Sequence, residues 1–434
     1  MKQASIGVLL VACAGSVWAQ ADPREAELVR IAVDPGKRDM ERVRALLEAR
    51  QRVYQRDPPR DGPLKEALGP LLHELGKQAD DLTHARLQAA ALQALKPFAP
   101  WPDLASVVRP FLAKGVALKV RIEALIAVRD HGARGLAGDL LPLLDERLAR
   151  RTKERFELTV IEAAKGLPDP EAARVVGKAL GSSRSRKVKL AAARLLATKR
   201  GPEGRQALLA ACDPRGRDED VAGVAALSLI RYGTLEGVGR LVRRFEAREG
   251  NSQVLYRSIC RCAFREDRGF AGVSPDAFFQ VEEEQRRKAI AEVLAWWAKT
   301  EGTTPEELMF AQLRDKLREK GVAVPSSLSD KGTVDALIAA LGVEPLSLRY
   351  AALDVLIRLT GRGDFFSDFR SILINLGANR VKMREWEPTY GFTDPRRQAE
   401  LRKEQALKAE RFRQWWDAVK DRAEWDGRRW RVRG

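Results

Sequence analysis

The most regular alternation of apolar and polar positions lies in residues 119–145, KVRIEALIAVRDHGARGLAGDLLPLLD. Its first half carries Val120, Ala124 and Leu125 with charged residues between them, which is the spacing of a helix with one apolar side. After a turn at residues 131–133, a second apolar run begins at Leu136 and predicts another short helix. Since one such hairpin cannot bury its own apolar side, it needs neighbours of the same kind.

Near-copies of this hairpin occur on both sides, and their first apolar positions are 35, 36, 32, 33 and 33 residues apart. These positions are Ala85, Val120, Phe156, Val188, Val221 and Val254. Regular spacing of this length is typical of stacked helical units rather than of one closed core. The sequence therefore predicts an all-α fold, an α-solenoid of helical hairpins.

Four copies share a short motif, in which an apolar residue and a basic residue precede an alanine. They are Ala85-Arg86-x-x-Ala89, Val120-Arg121-x-x-Ala124, Val188-Lys189-x-x-Ala192 and Leu348-Arg349-x-x-Ala352. We expect the alanine on the inner side, where it lets helices approach closely, and the basic residue at the solvated edge. Second helices often open with proline, as in Asp169-Pro170, where the aspartate is expected to cap the helix.

This motif resembles the HEAT repeat, in the short form also seen in the PBS-lyase-type HEAT-like family. The resemblance covers roughly residues 80–265 and 334–360. It implies an armadillo-like superhelix in which the second helices tend to line a concave side. Phe156-Glu157 and Val254-Leu255 are among the departures from the pattern, because they lack the basic residue.

The N-terminus has the pattern of a secretory signal. Lys2 is followed by an apolar run and by the small-residue site Val17-Trp18-Ala19, so we expect cleavage near Ala19 and an exported, periplasmic or secreted chain. An alternative is a lipid anchor at Cys13, since residues 10–13 resemble a lipobox. No later segment predicts a transmembrane helix. The composition, 45% hydrophobic and 32% charged, excludes a disordered chain.

Breaks in the pattern predict six regions. They are a signal peptide (1–19), an N-terminal helical cap (20–80), a HEAT-repeat solenoid (81–265), a Gly-Phe/Trp-Trp tail helix (266–300), a linker helix and loop (301–333), and a second HEAT module with a Trp-Trp tail and a basic C-terminus (334–434).

The tail element occurs twice. Gly269-Phe270 precedes a charged helix that ends in Trp296-Trp297, and Gly391-Phe392 precedes one that ends in Trp415-Trp416. We expect both tryptophan pairs to be structural, because large aromatic residues at helical spacing are usually part of a core; an aromatic platform for sugars or peptides is the alternative. Between the tails, Thr304 is expected to open a helix with a capping box.

A formal net charge of +17 is the strongest global feature of the chain. Basic residues lie on predicted second helices and around the last tryptophan, and they are candidates for partner binding. The candidates are Arg174, Lys178, Arg240, Arg243, Arg244, Arg428, Arg429, Trp430 and Arg431. They favour a groove for an anionic partner, but an ordinary solvated surface in an arginine-rich chain explains them equally well.

The sequence offers little support for catalysis or for a cofactor. Its three histidines lie in separate units, Cys212, Cys260 and Cys262 suit neither a disulfide framework nor a metal site, and no nucleophile or phosphate-binding motif is present. We therefore predict a non-catalytic scaffold that binds a protein partner along its concave side. The alternatives are a binder of an anionic polymer, such as a glycan or lipid surface, and a HEAT-type enzyme acting on nucleic acid, which export disfavours.

Overall fold

A computed structural model describes residues 22–55, 62–213, 218–263, 265, 269–343, 346–362, 364 and 395–432. Over these residues the protein is all-α, apart from one small hairpin of strands. The expected signal peptide, Cys13 and the second Gly-Phe loop lie outside the described residues, so the predictions made for them remain predictions.

Nineteen α-helices make up the described part of the chain. They are α1 (Pro23–Val33), α2 (Asp39–Tyr54), α3 (Pro63–Gly76), α4 (Ala85–Ala94), α5 (Leu104–Val108), α6 (Leu118–His131), α7 (Ala137–Leu140), α8 (Arg150–Ala164), α9 (Asp169–Ser182), α10 (Arg186–Leu196), α11 (Pro202–Ala211), α12 (Glu219–Tyr232), α13 (Glu236–Glu246), α14 (Ser252–Cys262), α15 (Glu283–Thr300), α16 (Pro305–Arg318), α17 (Lys331–Ala340), α18 (Leu346–Thr360) and α19 (Pro395–Val419).

The fold divides into two compact units, residues 1–211 and 212–434. In the first unit, α2, α4, α6, α8 and α10 pack side by side in one layer, and α3, α5, α7, α9 and α11 form a second layer beside them. Helix α1 packs on α2 and α3. Each hairpin thus buries the apolar side of its neighbour. The predicted all-α, solenoid-like fold is confirmed, while the HEAT assignment and the six regions stay predictions.

The second unit begins with the same hairpin packing and ends differently. Helix α12 packs on α13 and α14, and α13 also packs on α15. Helix α18 packs on α16 and α17, and α17 packs on α19. The strands β1 (Ala423–Trp425) and β2 (Trp430–Val432) then pair in antiparallel fashion, with the two tryptophans opposite each other.

Helix starts follow local side-chain chemistry. The capping box predicted at Thr304 is present, since its hydroxyl accepts from Glu307 N and the Glu307 carboxylate accepts from Thr304 N. Asp169 was expected to cap α9, but it is the first helical residue and Pro168 occupies the capping position. The aspartate instead lies 3.6 Å from the ammonium of Lys199, so it links α9 to the next hairpin.

The repeated motif behaves as expected at its alanines and differently at one of its basic residues, Arg121. Ala89, Ala124 and Ala192 are buried. Arg121, however, is only 7% exposed and not at a solvated edge. It pairs with Glu146 of the following loop and stacks 5.2 Å above the ring of Phe156 in the next hairpin. The expectation for Arg121 was wrong because the neighbouring hairpin supplies both a carboxylate and an aromatic ring.

One of the copies without a basic side chain carries a glutamate at this position. Glu157 is buried, and its carboxylate accepts a 2.8 Å hydrogen bond from the hydroxyl of Ser183 in the loop after α9. In these two copies the second residue of the motif ties one hairpin to the next, with either sign of charge, whereas Arg86 is exposed as expected.

Candidate functional site

The basic residues expected on α9 are not equivalent. Arg174 is exposed. Lys178 donates to the Asp145 carboxylate at 2.5 Å and to the carbonyl of Leu141 at 3.3 Å, both in the preceding hairpin. Lys178 is thus a link between hairpins.

The three arginines of α13 point in different directions. Arg240 pairs with Glu236 at 3.1 Å, one turn earlier on the same helix. Arg243 is exposed and lies 4.0 Å from Glu301. Arg244 is only 3% exposed and lies 3.8 Å from Glu219, at the start of α12. Burial removes Arg244 from any surface for a partner, because it packs inside its own hairpin.

The basic C-terminus is part of the folded second unit. Trp430 is buried, with its ring 6.0 Å from that of Trp416 and 5.6 Å from that of Trp425. Arg428 reaches Glu306 at 3.6 Å. The strand hairpin therefore anchors this segment through its tryptophans, and Trp430 is not available as a ligand platform.

Asp426, at the turn of that hairpin, holds the remaining arginines. The backbone N–H groups of Arg429 and Arg428 donate to its carboxylate and lower its pKa to about 2. Arg431 donates to the same carboxylate at 2.5 Å, and the Arg429 side chain lies 3.8 Å away. Two of the candidate cations thus already face an internal anion.

Both tryptophan pairs contribute to the core. Trp296 and Trp416 are buried. Trp297 lies close over the backbone of Gly239, where a Cβ would meet its ring at 2.7 Å. The Arg362 guanidinium covers the ring of Trp415 at 4.7 Å. These contacts agree with the structural interpretation of the pairs.

An apolar surface that the sequence did not single out lies on α2. Met40, Val43, Leu47, Arg50 and Tyr54 follow each other at alternating spacings of three and four residues, and we call this row the α2 seam. Met40, Leu47 and Tyr54 are 44%, 37% and 43% exposed. A 3–4 spacing of apolar residues is the pattern by which one helix receives the side chains of another. The opposite side of α2 is buried in the hairpin core.

The seam continues at one end onto the next hairpin. Leu82, 66% exposed, precedes His84, whose Nδ1 lies 2.8 Å from the carboxylate of Asp39 at the start of α2. Arg86 extends its guanidinium to the sulfur of Met40 at 3.5 Å. The heptad spacing at positions 40, 47 and 54 was visible in the sequence, but the sequence could not tell which of two apolar sides of α2 is buried.

A separate feature of the first unit is a cleft of about 460 Å³, which we call the turn cleft. Its walls come from the turns of consecutive hairpins. The lining residues are Trp101, Asp103, Leu104, Ala105, Gly132, Ala133, Arg134, Lys165, Gly166, Leu167, Pro168 and Lys199. The cleft is not visible in the sequence because these turns are more than thirty residues apart in the chain.

Burial shifts the pKa of two reactive groups in the described ranges. Cys212, Cys260 and Cys262 are buried and form no disulfide, as the sequence suggested, and burial raises the pKa of Cys212 to about 12. Burial lowers the pKa of His131, against the opposing charge of Asp130. Within the described part of the chain, no group of His, Cys, Asp or Glu could hold a metal ion. Likewise, none of the helices that were described is long and apolar enough to cross a membrane.

The chain was compared with known proteins at the levels of family, sequence and structure. No family model, no curated protein and no solved structure matches it.

Proposed function

We propose that the protein is a non-catalytic scaffold that holds an amphipathic helix of a protein partner against the α2 seam. The observation that carries this proposal is the set of large apolar side chains exposed at heptad spacing on α2. Burying such side chains stabilises a complex by roughly 25 cal/mol per Å² of apolar surface. A partner helix with apolar residues at i, i+3, i+4 and i+7 has the complementary pattern.

The proposal keeps two expectations from the sequence. The hairpins are HEAT-like units, on the strength of the recurring motif, and the chain is exported, on the strength of residues 1–19. The partner is accordingly sought among exported proteins.

The alternative of an anionic polymer on an arginine ridge is less well supported. Lys178, Arg240, Arg428, Arg429 and Arg431 each face a carboxylate of the same unit, and Arg244 is buried. Arg174 and Arg243 alone are a weak basis for recognising a long polyanion, which needs many cations in a row.

The test is capture of proteins from the exported fraction with three baits: the mature wild type, Leu47→Glu and Gln55→Glu. Gln55 is exposed at the C-terminal end of the same helix, and no seam residue lies three or four positions from it, so it is a matched control. We expect at least one protein to bind the wild type and Gln55→Glu and to be lost with Leu47→Glu, while all three baits melt alike. Equal capture by the two variants would contradict the proposal. Light scattering on the purified bait shows whether the partner is a second copy of the chain.

A further inference from the structure

The turn cleft, remote from the α2 seam in the chain, has the features of a small-molecule site. Its volume of about 460 Å³ lies in the range of roughly 300–1,000 Å³ that such sites occupy. It is formed by the turn after α4, the turn between α6 and α7, the turn between α8 and α9, and the end of α10. A partner-binding scaffold does not require this cleft.

Contacts between neighbouring turns fix the shape of the cleft. Ala133 N donates to the carbonyl of Gly166 at 3.0 Å, and the ammonium of Lys199 donates to the carbonyl of Leu167 at 2.8 Å. Gly166 has no room for a side chain, since a Cβ there would lie 2.0 Å from the carbonyl oxygen of Val128. The walls are therefore held before any ligand arrives, which lowers the entropy cost of binding.

The lining combines a ring surface with apolar walls. Trp101 is half-buried, with its indole in edge contact with Phe98 at 6.3 Å between ring centroids. Leu104, Leu167 and Pro168 complete the apolar part. An indole that is partly open to a cleft can stack on a flat or cyclic group of a ligand.

The lining of the cleft contains three cations. Two of them lie beside a carboxylate, and the third does not. Lys165 lies 2.5 Å from the Glu162 carboxylate, and Lys199 lies 3.6 Å from that of Asp169. Arg134 is exposed, and among the residues that the structure describes it has no ion pair or hydrogen bond from its side chain. The guanidinium is a planar fork of donors that suits a carboxylate or a phosphate.

The lining also holds one carboxylate. Asp103 accepts a 2.6 Å hydrogen bond from the hydroxyl of Ser106, so its charge is partly satisfied within its own turn. Asp103, Glu162 and Asp169 together equal the three cations of the lining in number, so the cleft is close to neutral overall. The site therefore suits a ligand with a single acid group rather than a polyanion.

From this arrangement we infer that the turn cleft binds a small ligand that carries a ring and one acid group. The ring stacks on Trp101, and the acid group accepts hydrogen bonds from Arg134. An acidic sugar and an aromatic carboxylate share this chemistry, and the experiment separates them.

The experiment is calorimetric titration of the full chain with three probes: the methyl glycoside of a hexuronic acid, the methyl ester of that glycoside and naphthalene-2-carboxylate. The proteins are wild type, Arg134→Gln, Trp101→Leu and Arg151→Gln. Arg151 is an exposed arginine at the far end of α8 from the cleft, and it serves as the control.

At least one of the two acids should bind the wild type and Arg151→Gln, and the one that binds identifies the ligand class. The ester should bind at least tenfold more weakly than the free sugar acid if the sugar is the ligand. Arg134→Gln should weaken binding about tenfold or more, the loss expected for a charge-assisted hydrogen bond, and Trp101→Leu should weaken it as well. If neither acid binds the wild type, or if Arg134→Gln binds as tightly as Arg151→Gln, the inference is wrong.

Arg134 is exposed, so its variant is expected to fold even if Trp101→Leu does not, and the melting curve of each variant shows this directly. Because the α2 seam is not part of the cleft, failure here leaves the proposed function standing, and failure of the partner capture leaves this inference standing.

Discussion

For helices α2 and α13, the sequence and the structure lead to opposite conclusions about which helix offers a binding surface. Helix α13 carries three arginines in five residues and was a candidate binding helix, yet Arg244 is buried, Arg240 pairs with Glu236 on the same helix, and only Arg243 is exposed. Helix α2 was assigned to an irregular cap, yet it exposes Met40, Leu47 and Tyr54 in a row.

The difference teaches that charge in a stacked helical protein is a poor guide to its outer surface. A long arginine side chain can bury its apolar stem and reach a carboxylate of a neighbouring helix or loop, as Arg244 and Arg121 do. An exposed apolar residue has no comparable internal use. Three of them at heptad spacing are therefore the more informative signal.

The largest expected effect concerns stability. Arg244→Ala should lower the free energy of unfolding by about 3 kcal/mol, because it leaves Glu219 without its buried counter-charge. Arg243→Ala should change it by less than about 0.5 kcal/mol, since that side chain is exposed. Urea denaturation followed by circular dichroism measures both, and equal stabilities would show that the two arginines play the same part.

The affinity for the partner should depend on the α2 seam and not on the arginines of α13. Leu47→Ala should weaken the captured partner about thirtyfold, the equivalent of about 2 kcal/mol for a central apolar contact. Arg243→Ala should leave the affinity unchanged. Titration of the purified partner against each variant provides the measurement; loss of affinity on changing Arg243 instead would move the binding surface to α13.

A smaller effect is expected from salt. Binding through the apolar seam should change little as ionic strength rises, whereas binding through exposed arginines should weaken steeply because it depends on screened charges. Affinities measured in low and in moderate sodium chloride distinguish the two. A steep decline would favour the basic surface.

The smallest effect concerns the C-terminal hairpin at low pH. The folded-state pKa of Asp426, about 2, lies below its ordinary value of 3.8, so the contribution of its contacts is fully present above pH 4 and is lost as pH falls through about 2. The indole N–H resonance of Trp430 should follow this titration. In Asp426→Asn the transition should disappear; its persistence there would assign it to another group.

Much of the fold followed from local patterns. The repeated hairpins and the capping box at Thr304 depend on residues within a few turns of each other, and both were predicted correctly. The burial of Arg121 was not, because its partners Glu146 and Phe156 belong to the next hairpin. Periodicity identifies an apolar side of a helix, but it does not say what that side contacts.

The candidate sites were predicted less well for the same reason. The turn cleft combines Trp101 with Arg134 and Lys199, which only stacking brings together. The α2 seam could not be predicted because the sequence does not show which apolar side of α2 faces the neighbouring hairpins. In contrast, the buried state of the three cysteines followed from their number and spacing.

Photo-cross-linking from α2 tests the central claim most directly. A photoreactive residue is placed at position 47, 55 or 243 of the otherwise unchanged chain and irradiated with the captured partner. The account predicts a strong cross-link from position 47, little from 55 and none from 243, with the modified partner peptide carrying apolar residues at heptad spacing. A cross-link from 243 with none from 47 would contradict it.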